Sequence, residues 1–237
     1  MNSLDRSATL AQIVTEHPRA ARVFQRHGMD YCCHGGVSVP EACRGVPLDP
    51  EAIFSELEEE LGEIRERSGP EDDPRTLSRF GLIARIVDQH HAYARRAVPA
   101  IAPILARVVA VHGPREASLH ELQATFAELS RTLLPHLDEE EEVLFPAILT
   151  LRAEPSVLER ELERMEGDHL VVGGQLARMR ALTGGYSAPE WGCRTYRVLM
   201  SELEAFEADT FRHVHLENHV LVPLATKVAR HQDGPRV

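Results

Sequence analysis

The chain has 237 residues, 43% of them apolar, a formal net charge of -11, 13 histidines and four cysteines. That length supports a core without disulfide staples, and four cysteines of which two are adjacent do not make the framework of a small secreted domain, so a reducing cytoplasm is the expected setting. The acidic balance argues against nucleic-acid or anionic-membrane partners, which require clustered Lys and Arg, and no stretch approaches the roughly eighteen uninterrupted apolar residues of a spanning helix.

From Ser7 to about Arg67 the pattern is short and helical. "TLAQIVTEH" is followed by "PRAARVFQRHG", with Pro18 in a first turn and Gly28 as its stop, and "PEAIFSELEEELGEIRER" opens after Asp49. Between them "DYCCHGG", Asp30–Gly36, places Cys32 and Cys33 side by side. Metal ligands, a redox pair and two small residues in a turn are all open readings of that pair. "SGPEDDPR", with two prolines, a glycine and no apolar residue, reads as a linker. The expected organisation is a small helical domain over 1–67, a linker over 68–76 and a larger domain over 77–237.

Four long segments follow, roughly 77–111, 117–151, 155–182 and 189–230, in which apolar residues step by three and four. Short connections between helices of this length point to an antiparallel four-helix bundle, making the chain all-α. Pro99 and Pro103 predict a kink in the first helix.

The core stripe is interrupted by polar residues. The second segment reads Phe126, Leu129, Leu133, His136, Glu140, Val143 or Leu144; the fourth reads Leu199, Leu203, Phe206, Thr210, His213, Glu217, Val220, Leu224. The same His-x-x-x-Glu pair recurs, with both side chains on one helix face. The third stripe centres on His169, between Met165 and Val172. The first runs Phe80, Ile83, Val87 to "HH", where a 3.6-residue wheel prefers His90 and three-and-four stepping takes His91.

A single core histidine is usually structural. Four helices each sending an imidazole inward, two of them adding a carboxylate one turn later, instead describe a metal site, because two buried carboxylates need a compensating cation. The donor set is too nitrogen-rich for Mg or Ca, too large for one structural Zn, and lacks thiolates. Two iron ions bridged by Glu140 and Glu217, each with two histidines, fit best. Ferritin-like di-iron sites carry Glu-x-x-His, the opposite order.

"PHLDEEEEVLFP" and "RHVHLENHVLVP", with "EGDH" between them and "HHAYARRAVP" before them, resemble the hemerythrin-like domain of the iron-sulfur cluster repair di-iron proteins, also called the repair-of-iron-centres family. "TLAQIVTEHPRAARVFQRHGMDYCCHGG" resembles the small N-terminal domain of the same family, so the likeness covers nearly the whole chain. The resemblance implies a hemerythrin-like bundle with His91, His136, Glu140, His169, His213 and Glu217 as ligands to two iron ions, carboxylate-bridged and admitting an oxo bridge. It implies a cytoplasmic protein that repairs iron-sulfur clusters damaged by nitrosative or oxidative stress, by iron donation, by reduction of NO to N2O, or both. Damaged iron-sulfur proteins are its implied partners and NO or O2 its small ligands. The family also admits a homodimer, which no face of this sequence specifies. The alternative is a hemerythrin-like protein that binds, stores or senses O2 or NO without catalysis.

His112, before Gly113, is expected to cap the end of its helix, because twenty-one residues of helix separate it from His91. His215 and His219 step onto other faces, and Glu139, Glu141 and Glu142 read as a solvated edge. Cys32 and Cys33 are read as exposed thiols that relay electrons, NO or iron, with His34 lowering a thiol pKa when protonated.

Overall fold

The computed structural model describes residues 4–62, 73–150 and 155–226. Among these residues there is no strand; Thr9 and Ser38 form an isolated bridge. The contacts divide the chain into two units, one holding Met1–Leu82 with Phe211–Val237, the other Ile83–Thr210. The chain is all-α, a helical bundle with a small N-terminal domain.

In the first unit, α1 spans Leu10–Glu16, α2 Ala20–Arg26, α3 Val39–Ala42 and α4 Pro50–Gly62. Thr9 caps α1 in a reciprocal box: its hydroxyl accepts from Gln12 N–H, and Gln12 Oε1 accepts from Thr9 N–H. The next two free N–H groups of α1, on Leu10 and Ala11, donate to the carbonyls of Val37 and Gly35. The loop after the cysteines is thereby tied to the start of α1. Gly28, at φ 63°, provides the left-handed exit after α2 that a side chain would resist. Phe24, Tyr31, Phe54 and Leu57 fill the core. The expected linker falls partly outside the described residues, as does the continuation of α4 to Arg67. Asp73 caps a 3-10 turn over Pro74–Thr76.

The second unit holds the bundle. Helix α5, Arg79–Arg85, passes through a π turn at Ile86–His91 into α6, Ala92–His112. Helix α7, Ser118–Glu139, passes through a second π turn at Glu140–Leu144 into α8, Phe145–Thr150. Helix α9 spans Pro155–Leu182, and α10 spans Arg194–Leu216, ending in a third π turn at Glu217–Leu221. Because α10 crosses the division at Thr210, its last turns belong to the first unit.

Cross-helix pairs fix the directions. Glu121 pairs with Arg178, His136 with His169 and Glu139 with Arg164, so α7 and α9 are antiparallel. His90 with Asp209 and His112 with Cys193 make α6 and the first part of α10 antiparallel in the same way. An ion pair between half-buried Arg180 and buried Glu207, with Tyr186 donating to Glu207 at 3.1 Å, locks α9 to α10.

Helix α6 continues through Pro99 and Pro103. The departure from α geometry on this helix lies ahead of them, in the first π turn. Phe80, read as a core position, is 71% exposed, and Ile86 rather than Val87 is buried. Within the second π turn Leu144 is the buried one of the pair Val143 and Leu144, and past the third Ala225 is buried where Leu224, read as a core position, is half-buried. A π turn holds one extra residue, so an α wheel drawn through it loses register.

Candidate metal centre

The polar interruptions of the bundle stripe are all buried. His91 and Glu140 have no exposure, and His136 and His169 have 3% and 1%. Within the bundle unit three imidazoles converge on Glu140: His91 Nε2 lies 3.4 Å from one carboxylate oxygen, His136 Nε2 and His169 Nε2 lie 3.2 Å and 3.8 Å from the other. His136 Nε2 and His169 Nε2 are 3.1 Å apart. With metal–nitrogen bonds of about 2.1 Å, neighbouring ligand atoms in one coordination shell stand roughly 3 Å apart. The donor set therefore fits a borderline cation.

The outer ring nitrogens are anchored. His91 Nδ1 lies 2.7 Å from Glu141, and His136 Nδ1 lies 3.2 Å from Asp168. A carboxylate on Nδ1 selects the tautomer that leaves Nε2 free to bind and makes that nitrogen more basic. Arg95 donates to Glu141 at 2.6 Å and to Asp138 at 2.6 Å; Arg164 pairs with Glu139 and lies 3.8 Å from Asp168. Burial raises the Glu141 carboxyl, but the hydrogen bonds from Arg95 and His91 outweigh it and hold it below its ordinary value. Glu139 and Glu141 are thus partners of fixed cations and rings, correcting their reading as a solvated edge. Asp168, in "EGDH", carried no signal on the apolar stripe.

Of the adjacent histidines, the π turn directs His91 at Glu140, while His90 Nδ1 lies 3.0 Å from Asp209. The one-residue slip is why the wheel preferred His90. His112 closes α6 at the far end, some 30 Å of helix from His91, with its ring beside Cys193.

In the other unit His213 Nε2 and Glu217 Oε1 stand 2.9 Å apart, both buried. The pair repeats His136–Glu140, and its glutamate likewise opens a π turn. Both turns close with an i to i-5 bond, Phe145 N–H to Glu140 O and Val222 N–H to Glu217 O. Both are written in one pattern, Glu-x-x-Val-Leu-x-Pro, ending at Pro146 and Pro223. A proline cannot donate to the carbonyl four residues back and its ring crowds that carbonyl, here Glu142 or His219; the wider turn relieves the conflict. That pattern was the available sign of the turns.

Neither His215 nor His219 faces solvent freely. His215 is buried against the Tyr31 ring with Nε2 3.1 Å from Thr15 Oγ1, and burial with the nearby His219 pushes its pKa down to about 3. His219 Nε2 lies 2.7 Å from the Cys32 carbonyl, to which Asn218 also donates.

The vicinal cysteines are organised by Asp30. Its Oδ1 accepts from the backbone N–H of Cys32 at 3.0 Å and of Cys33 at 2.9 Å, and its Oδ2 lies 2.7 Å from His34 Nδ1. The two sulfurs are 3.7 Å apart. Cys32 is 1% exposed and Cys33 is half-buried, so the expectation of two exposed thiols holds for neither in full. Burial, the Cys33 contact and the Asp30 carboxylate push the Cys32 thiol well up, and His34 spends its ring on Asp30 rather than on a sulfur. One ligand atom from each of Asp30, Cys32 and Cys33 lies within 4.8 Å of the others.

No helix among the described residues is long and apolar enough to cross a membrane. Residues 82–225 match the hemerythrin HHE cation binding domain, and residues 6–61 match a domain of unknown function, DUF542, named ScdA_N. The chain is 32% identical over 214 residues to the iron-sulfur cluster repair protein ScdA of Staphylococcus haemolyticus, covering 90% of this chain and 95% of the relative. It is 30% identical over 222 residues to the iron-sulfur cluster repair protein YtfE of Yersinia pestis strain Pestoides F, covering 94% and 98%. With two domains matched in order and the relatives spanned almost end to end, the chain belongs to the hemerythrin-like family of iron-sulfur cluster repair proteins.

Proposed function

We propose that this protein repairs iron-sulfur clusters damaged by nitrosative or oxidative stress, using two iron ions held by His91, His136, Glu140, His169, His213 and Glu217. The observation that carries the reading is the set of three buried imidazoles turned onto Glu140, two of them with the outer nitrogen fixed by a carboxylate. The recurrence of His-x-x-x-Glu at His213 and Glu217, inside the matched domain, supports these two residues as the rest of the donor set, where Glu217 would be its second carboxylate. The names of the relatives support repair as the role and damaged iron-sulfur proteins as its targets.

Iron bound by this set supplies one-electron chemistry and exchangeable coordination, suited to releasing iron to a damaged cluster or to handling NO. Glu141 and Asp168 hold protons on the outer nitrogens, so the inner lone pairs stay aimed at the centre. Arg95 keeps the Glu141 carboxylate charged and in place, and Arg164 lies 3.8 Å from Asp168. Cys33, the more accessible thiol, is the proposed contact for NO or iron in transit, and Cys32 is its buried neighbour. Four cysteines held as thiols suit a cytoplasmic setting.

The test is anaerobic purification, iron counting, and recovery of activity of an NO-damaged cluster enzyme. Glu140→Leu and Glu217→Leu are each expected to lose iron and repair; two irons with full repair in both variants would falsify the assignment. Reversible O2 binding without repair would instead favour the storage alternative. Cys33→Ser should keep its iron and lose part of the repair rate; an unchanged rate returns the pair to structure.

A further inference from the structure

A second reactive group lies in the bundle unit, at the start of α10. Cys193 immediately precedes Arg194, the first residue of that helix, and its side chain is exposed. His112 Nε2, from the end of α6, lies 3.2 Å from Cys193 Sγ. The imidazole is seated between two aromatic rings, Trp191 and Tyr196, each with its centroid 5.6 Å away. The turn that delivers the cysteine is tightly set. Gly192 donates to the Pro189 carbonyl at 2.8 Å, and a Cβ at Gly192 would stand 2.9 Å from that oxygen and 3.5 Å from the Tyr196 ring.

The surroundings favour a negative sulfur. The hydrogen bond to His112, helped by backbone N–H groups of Tyr196 and Thr195, brings the Cys193 thiol down to about 7. The Arg115 guanidinium lies 4.2 Å from the centre of the Trp191 ring. Arg194 is next in the chain, Glu116 follows Arg115, and Tyr196 is itself titratable with its pKa raised. With Arg197, which donates to the Glu190 carbonyl, the turn and the loop against it carry Arg115, Arg194 and Arg197 against Glu116 and Glu190, a balance of one positive charge.

We propose that Cys193, activated by His112, is a site of reversible mixed-disulfide formation with small anionic disulfides. The Cys193 thiolate attacks one sulfur of the small disulfide; a new S–S bond forms as the old one breaks. Cys193 is oxidised to the mixed disulfide, and the departing half is reduced, leaving as a thiolate that takes a proton from water. A second small thiol reverses the exchange. An open surface suits this reaction better than peroxide reduction, which draws on an enclosed donor set for the leaving oxygen. A thiol whose pKa is near ambient pH is also the most effective in exchange.

The test uses full-length, iron-loaded protein under nitrogen with oxidised glutathione, read by intact mass and peptide mapping between pH 5 and 9, with neutral hydroxyethyl disulfide in parallel. The first adduct is expected on the peptide containing Cys193, with half-maximal rate near pH 7, and Cys193→Ser should abolish it. His112→Gln should slow the reaction at pH 7 by roughly three- to fivefold and move its midpoint toward that of an ordinary thiol. Arg115→Ala should slow the glutathione reaction and spare the neutral one. A first adduct on Cys33, or a wild-type midpoint above about pH 8, overturns the proposal even if His112→Gln does not fold; so does an unmoved profile in a folded His112→Gln.

Discussion

His91 presents its two ring nitrogens to two successive glutamates, Nδ1 at 2.7 Å from Glu141 and Nε2 at 3.4 Å from Glu140. Glu141 therefore acts on the proposed centre through a ring it orients. Glu141→Gln keeps the size of the side chain and removes the charge that holds the Nδ1 proton. Iron affinity, read by competition with a chelator, should fall by about 10- to 100-fold. Glu142→Gln, on the exposed neighbour, should leave it unchanged; equal losses in both would show a general charge effect.

Ferrous iron should stabilise the chain by mass action. At a free concentration about 100 times the dissociation constant the gain is about 2.7 kcal/mol, visible as a higher melting temperature under nitrogen and reversed by chelation. His169→Ala should reduce the shift without abolishing folding. A melting temperature indifferent to iron in the wild type would remove the metal reading.

The carboxylate of Asp30 gives the first unit a predictable acid response. Burial raises its pKa, but hydrogen bonds from His34, Cys33 and Cys32 outweigh it and leave the folded value below 3.8. A depressed folded pKa means that the stabilisation is fully present above the unfolded value and is lost as pH falls through the folded one. Asp30→Asn should cost roughly 1–3 kcal/mol at pH 7 in urea unfolding, with the difference shrinking below about pH 4. A difference that stays constant down to pH 2.5 (about 1.4 units below the ordinary Asp value) would show that the charge is not what matters.

Gly35 and Gly36 are adjacent and should respond oppositely. A Cβ at Gly35 would stand 2.2 Å from the Tyr31 carbonyl oxygen and 2.9 Å from the Ala11 Cβ, whereas at Gly36 nothing lies within 4 Å. Gly35→Ala should destabilise by about 1–3 kcal/mol and disturb the cysteine turn, while Gly36→Ala should fall within about 0.5 kcal/mol of wild type. Equal unfolding midpoints would mean that the turn rearranges at no cost.

The parts legible in sequence were those written as a period. His136, Glu140, His169, His213 and Glu217 stood out because each interrupts an apolar stripe at a position that is in fact buried. Glu141 and Asp168 were not legible, since each lies off the stripe and is recognised only by the ring nitrogen it meets from another helix. His91 was ambiguous because an α wheel assumes 3.6 residues per turn through a segment that has more. The burial of Cys32 depends on Tyr31 packing and on the Asp30 turn, neither of which leaves a periodic trace. His112 meets Cys193 across eighty-one positions, beyond the reach of local pattern.

The unit that holds the vicinal cysteines is assembled from both ends of the chain. Tyr31 packs edge-on against Phe211 and His215, Thr15 meets His215, and the Cys32 carbonyl is held by Asn218 and His219, the two residues that follow Glu217. Removing the N-terminal residues would therefore also uncover the turn that presents Glu217. A shortened protein that has lost iron would report damage to a ligand's support, not a role for the cysteines in handling metal. Single-atom changes such as Cys33→Ser leave that support standing, and only they can separate the two.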